Sequence, residues 1–248
     1  MGNTTPFTSP LPAFVAKVSS HCGTCNLRDL CLPIGLTDAE LDKLDQIVKH
    51  RKRIPRDGAL YRMNDPFVNL YAIRVGHFKT FQVNANGAHH ISGFQMTGQL
   101  LGMEAISAYR HQCNAVALED SEVCEVPFTD LERLLKDVPV MLHQFHRMMS
   151  HEIAQDRHAM LQLGNLRAEQ RFAAFLLNLS VRYKNRGYSA TNFQLRMSRE
   201  EIANFLGLTN ETISRLLSQF KKIGWIKVNN REIELLNLLT LQTLVEGK

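Results

Sequence analysis

The sequence predicts an α+β chain. Its parts are a cysteine-bearing N-terminal segment, an antiparallel β-roll, one long helix and a mostly helical C-terminal unit. Three observations carry this. From Arg51 to Phe128, short alternating or β-rich runs are separated by turn signals. After Pro139, apolar positions recur at steps of four and three for about three heptads. Beyond Ala168 the pattern is helical and ends in a short hairpin. The divisions fall at 1–36, 37–139, 140–166 and 167–248.

The 248 residues suit one large or two modest domains, and 44% hydrophobic against 21% charged residues is a globular balance. No apolar run reaches the roughly 18 residues a membrane span needs. The first twenty residues are polar, with three prolines, and read as extended. They lack a basic n-region followed by an apolar h-region, so a cytoplasmic chain without a membrane partner is expected. Gly2 opens a myristoylation-like pattern that is too common to carry weight. In a reducing compartment, five cysteines point to metal or redox chemistry rather than disulfides. Residues 167–248 carry 13 Lys/Arg against 7 Asp/Glu, and the rest 16 against 17. The positive balance sits in the last third and favours an anionic partner there, such as nucleic acid.

The elements follow in order. Thr37 can cap a short helix over TDAELDKLDQIVKH. The runs FVNLYAIRV, HFKTFQV, HHISGF, NAVALED and EVCEVPF read as strands of a roll or jelly-roll-like barrel. Asp57-Gly58, Arg74-Val75-Gly76 and Asn86-Gly87 mark turns, the last favouring a two-residue hairpin. Thr129–Lys136 reads as a short helix. Pro139 suits the first turn of a long helix over Val140–Leu163. One face of it reads Leu142, His146, Met149, Ile153, Asp156, Met160, Leu163. A dimer seam at His146, Met149, Ile153, Asp156 and Met160 is favoured over packing on its own domain. In a parallel symmetric dimer Asp156 would face its own copy and oppose association. The end, WIKVNNREIELLN, reads as a hairpin around Asn229-Asn230.

SREEIANFLGLTNETISRLLSQFKKIG carries the fullest local logic. Ser198 and Glu201 form a capping box. Gly207 can take a left-handed turn, and Thr209 can cap a second helix that buries Ile213, Leu216, Leu217 and Phe220. This is a helix-turn-helix. Its second helix exposes Asn210, Glu211, Ser214 and Arg215. Arginine can donate twice to guanine, and glutamate can accept from cytosine. The bland alternative is a surface ion pair between Glu211 and Arg215.

SSHCGTCNLRDLCLP places Cys22, Cys25 and Cys31 in a C-x2-C-x5-C cluster. A thiolate metal site wants a fourth ligand, for which Cys113, Cys124 and His21 are candidates. No second knuckle is present, as zinc would favour, and the spacing is not that of bacterial ferredoxins. Spacing leaves zinc and iron–sulfur open.

HCGTCNLRDLCLP, EVCEVPF and LGLTNETISRLLSQF, in that order, resemble the fumarate and nitrate reduction regulator (FNR) branch of the cyclic-AMP receptor protein superfamily. The resemblance covers nearly the whole chain after about residue 20. It implies a cluster segment, a cyclic-nucleotide-binding-like roll, a dimerisation helix and a winged helix-turn-helix. It implies an oxygen-labile [4Fe–4S] cluster on Cys22, Cys25, Cys31 and Cys124, with Cys113 a structural thiol. Implied partners are double-stranded DNA at a TTGAT-N4-ATCAA-like palindrome, a second copy of the chain when cluster-loaded, and RNA polymerase. Glu211, Ser214 and Arg215 match the base-reading positions. Related regulators hold cyclic AMP through an arginine–serine pair. Gln112 and Cys113 stand there in this sequence and Glu104 is an acceptor, so no cyclic nucleotide is expected.

The expected function is therefore an oxygen-sensing transcription regulator rather than an enzyme. A zinc-stabilised or thiol-switch regulator and an iron–sulfur electron-transfer protein are the rivals. No catalytic constellation supports the last. His89-His90 and His143, His146 and His151 read as surface or helix-face residues.

Overall fold

A computed structural model describes residues 22–48, 50–84 and 86–247. The extended reading of residues 1–20, the Gly2 pattern and His21 lie outside the described residues.

The cysteine segment winds in successive tight turns. Cys25 N–H donates to Cys22 O (3.2 Å), Arg28 N–H to Cys25 O (3.0 Å) and Ile34 N–H to Cys31 O (3.3 Å). Helix α1 (Asp38–Ile47) follows. The Glu40 carboxylate accepts from both the Thr37 N–H and its hydroxyl, each at 2.8 Å, which starts the helix where the sequence placed it.

Eight strands build the roll: β1 (His50–Ile54), β2 (Ala59–Tyr61), β3 (Asn69–Val75), β4 (His77–Val83), β5 (His89–Met96), β6 (Leu100–Leu101), β7 (Asn114–Ala117) and β8 (Ser121–Pro127). They pair as two antiparallel four-stranded sheets, β1-β8-β3-β6 and β2-β7-β4-β5. Ile73, Phe78, Ala115 and Val123 are fully buried in the cluster that fills the roll. The five β-rich runs fall on β3, β4, β5, β7 and β8. Gly76 turns β3 into β4 at φ +100°, and a Cβ there would collide with Ser121 Oγ. The β4–β5 hairpin is longer than expected. Asn84 N–H donates to Ala88 O and Gly87 N–H to Asn84 O, and Gly87 takes the left-handed conformation at φ +79°. That is a turn plus a left-handed closing residue rather than a two-residue loop.

Helix α2 (Phe128–Asp137) leads into α3 (Pro139–Asn165), the long helix. Its first turns bury Met141 and Phe145 against α1, α2 and the roll. Another face is left to solvent, where Ile153 is 51% and Met160 73% exposed. Helix α4 (Ala168–Lys184), strand β9 (Asn192–Gln194), helices α5 (Arg199–Leu206) and α6 (Asn210–Lys222), strands β10 (Ile226–Asn229) and β11 (Glu232–Leu235), and helix α7 (Leu238–Glu246) complete the chain. The hairpin at Asn229-Asn230 forms, and β9 adds to it in the order β10-β11-β9. Phe172, Leu176, Ile213, Leu216 and Phe220 share one core with Ile91, Phe94, Met96 and Leu118 of the roll. The last segment is therefore packed on the roll, not merely tethered to it.

Candidate metal centre and DNA-reading face

Cys124 sits mid-strand on β8, paired with Arg51 on β1 and Ala72 on β3. The turns of the N-terminal segment bring Cys22, Cys25 and Cys31 over it, and all four cysteines line one cavity. The rest of the lining is leucines, valines and other apolar groups, with Arg74 the one charged side chain. Cys22 N–H donates to Asp45 Oδ1 at 2.5 Å, tying the segment to α1. Burial pushes the Cys22 thiol up, with Asp45 and the neighbouring thiols adding to it. Burial also pushes Cys31 up to about 12, with repulsion from Cys124 and Cys25. The Cys124 thiol rises through burial, opposed by Arg51 and Arg74. Burial that raises Cys22, Cys31 and Cys124 together favours their thiol forms, so a bound metal cation would be needed to hold them as thiolates. Among the described residues, no three His, Cys, Asp or Glu form a group that could hold a metal ion.

Cys113 is elsewhere, buried in the roll beside Tyr61 and pushed up to about 12 by burial and then by Glu104. A second cavity of about 440 Å³ lies between the roll and α3. Its lining holds Cys113 and three carboxylates, Glu104, Glu152 and Asp156, and no lysine, arginine or histidine. Gln112 is exposed and donates to Arg110 O at 2.8 Å. This lining offers an anionic phosphate no charged donor.

On α3, His146, Ile153, Asp156 and Met160 are exposed and Met149 is half-buried. Partial burial raises the Asp156 carboxyl. One turn earlier lies Glu152, which the heptad pattern passed over. Burial first, and then the Asp156 charge, push it to about 7.

The helix-turn-helix is α5 and α6. Ser198 N–H donates to Glu201 Oε2 (2.6 Å) while Glu201 N–H donates to Ser198 Oγ (3.1 Å). Gly207 is left-handed at φ +62°, and Thr209 Oγ1 accepts from Thr212 N–H at 3.2 Å. Ile213, Leu216, Leu217 and Phe220 are buried beneath α6. Glu211 and Arg215 are exposed and Ser214 is half-exposed. Backbone N–H at the helix start and the Thr209 hydroxyl hold Glu211 below its ordinary value. Among the described residues Glu211 and Arg215 make no ion pair, so both remain available to base edges.

Residues 51–138 match the family model of the cyclic nucleotide-binding domain, and residues 170–244 that of the Crp-like helix-turn-helix domain. Over 227 residues the chain is 44% identical to the "Transcriptional regulatory protein btr" of Bordetella pertussis, covering 92% of this chain and 94% of that one. The chain belongs to the Crp/FNR family of transcription regulators. It is also 42% identical to the "Fumarate and nitrate reduction regulatory protein" of Vibrio cholerae, over 90% of each chain. It is 40% identical to the "Transcriptional activator protein anr" of Pseudomonas aeruginosa, over 94% of this chain and 96% of that one. The solved structure of FixK2 from Bradyrhizobium japonicum matches with TM-score 0.72 and 29% identity, covering 78% of this chain and 96% of that one. As a Crp/FNR regulator the chain carries its DNA-binding domain at 170–244, and no described helix is long and apolar enough to cross a membrane.

Proposed function

We propose that this Crp/FNR regulator is an oxygen-responsive switch whose Cys22, Cys25, Cys31 and Cys124 hold a [4Fe–4S] cluster. The observation that carries the reading is the single apolar cavity lined by these four thiols and no other cysteine. An all-sulfur donor set with no second C-x2-C pair suits an iron–sulfur cluster, whose cysteine spacing varies more than that of paired zinc knuckles. When bound, the cluster supplies an oxygen-labile redox centre. Relatives named as anaerobic regulatory proteins support that chemistry.

The chain's own residues supply the rest. Cys22 and Cys31 pack against the same core as Val138, Met141 and Phe145, so the cysteine segment bears on the first turns of α3. A cluster held by Cys22, Cys25, Cys31 and Cys124 would tie this segment to β8, and α3 would pair through Met149, Ile153 and Met160 against the repulsion of Asp156 with its copy. Two α6 helices then enter adjacent major-groove half-sites of a TTGAT-N4-ATCAA-like palindrome. Glu211, Ser214 and Arg215 read the bases. The regulator works in the cytoplasm, and RNA polymerase is its partner at promoters.

The test is anaerobic purification with iron and sulfide analysis, then admission of air. About four of each per chain, with visible absorption that bleaches as dimers are lost, supports the switch. A colourless chain with one zinc, indifferent to air, would leave a DNA-binding regulator with a structural metal.

A further inference from the structure

Strand β5 is an edge: in the order β2-β7-β4-β5 it has a strand on one side only. Its open side is occupied by side chains of the DNA-binding unit. The Asn204 carboxamide, on α5, accepts from Ile91 N–H through Oδ1 (2.7 Å) and donates to His89 O through Nδ2 (2.8 Å). One side-chain amide thus makes both bonds that a neighbouring strand's peptide groups would make. Further along, Arg182 of α4 donates to Phe94 O (2.6 Å) and Arg186 to Thr97 O (2.6 Å). Lys79 on β4 meets Glu201 of α5 at 2.6 Å, both largely buried. Phe94 packs on Phe205 with ring centres 5.1 Å apart.

The covalent link between the long helix and the DNA-binding unit is short. Helix α3 ends at Asn165 and α4 begins at Ala168, with Arg167 extended between them. Rotation at that break would swing the whole unit. The contacts on β5 oppose the swing: Asn204 and Phe205 supply them from α5 and Arg182 from α4, and α5 shares its buried core with α6 across the turn at Gly207.

We infer that Asn204 is a positioning residue for DNA recognition: seated on the edge of β5, its carboxamide fixes α6 relative to the roll and α3, and so fixes the half-site spacing the dimer accepts. Asn204 need not touch DNA. The inference rests on the dimeric reading of a palindrome proposed above.

The experiment compares full-length, cluster-loaded wild type with Asn204→Ala and with Asn204→Asp, which keeps the acceptor but sets a charge against His89 O. Lys79→Met is a further variant in case the first is poorly folded. Binding is measured to palindromes at the natural half-site gap and at gaps one or two base pairs shorter or longer. Wild type should prefer one gap, and the variants should lose on the order of tenfold of that preference, as expected from releasing two backbone hydrogen bonds. A purely structural role would lower affinity equally at every gap, and that result overturns the inference. So does tighter binding at the natural gap, which would make the contact a restraint. Wild type without any gap preference would overturn the palindromic reading instead. Small-angle scattering of the cluster-free chain then judges the clamp, with an expanded Asn204→Ala expected and an unchanged one decisive against it.

Discussion

Gly35 rests on Val140: a Cβ built on Gly35 would lie 3.6 Å from Val140 Cγ1. Gly35 closes the cysteine segment and Val140 opens the long helix, so the segment that carries the proposed sensor touches the first turn of the helix that carries the proposed seam. Leu32 and Leu36 of that segment share a buried cluster with Val138, Met141 and Phe145. Packed clusters shift as units rather than deform smoothly, so a change at the cysteines has a direct mechanical route to α3.

Gly35 holds φ +78°, a conformation that L side chains rarely adopt. Gly35→Ala should cost about 1 kcal/mol from that conformation alone, since its Cβ would make only ordinary contact. Gly35→Leu must also displace Val140, and should weaken cluster-dependent dimerisation beyond the loss of stability. Urea midpoints and sedimentation under nitrogen separate the two effects. Wild-type dimerisation by the leucine variant would take this contact out of the coupling route.

The cysteines should divide sharply by place. Cys31→Ser removes a thiol from the shared cavity and should abolish iron retention. Cys113→Ser changes a thiol in the separate core beside Tyr61. It should keep full iron content while losing about 1 kcal/mol, the scale of a small change in polarity at a buried site. Iron analysis of both variants decides it, and an iron-free Cys113→Ser would reopen the ligand set.

What the sequence revealed tracks local physics. Thr37, Ser198 and Thr209 announce their helices because a cap is made by residues three apart. The run HFKTFQV announces β4 because it alternates across a half-buried strand. Strand β1, HRKRI, gave no such signal: four of its five residues are basic, and only pairing with β8 makes it a strand. The third strand β9 is three residues long and exists through β11. At the site, the motif points to three cysteines, but Asp45, Arg51 and Arg74 reach it from three other elements. Asn204 looks like any helix-surface asparagine until β5 lies beside it.

Arg215 projects from α6 while Leu216 and Leu217 are buried beneath it. Arg215→Ala should cost about 1–3 kcal/mol of discrimination between cognate and single-base-altered half-sites. Its effect on non-cognate DNA should be small beside that. Competition titrations at fixed salt measure both, and equal losses on the two DNAs would make Arg215 a phosphate contact.

The two carboxylates of the long helix make the last prediction. Glu152 is faced by Asp156 on its own helix, by Arg182 from α4 and by Glu104 from the roll. Burial and the two like charges outweigh Arg182, so its carboxyl rises from 4.5 to about 7. Folded chain therefore holds a proton on Glu152 that unfolded chain has released between these values. This contribution to stability is complete below pH 4.5 and is lost as pH rises through about 7. Glu152→Gln, which keeps the shape without the charge, should match wild type in acid and exceed it in urea resistance above neutrality. Asp156→Ala relieves the same repulsion, and at the seam it also removes the charge that would meet its copy. It should raise the dimer fraction in air and restore part of DNA binding without iron, whereas Glu152→Gln, set back from the seam, should shift stability more than association. Sedimentation in air, beside urea titrations across that pH range, reads the two effects apart. An unchanged aerobic monomer–dimer equilibrium in Asp156→Ala would mean that α3 pairs, or fails to pair, for reasons other than charge.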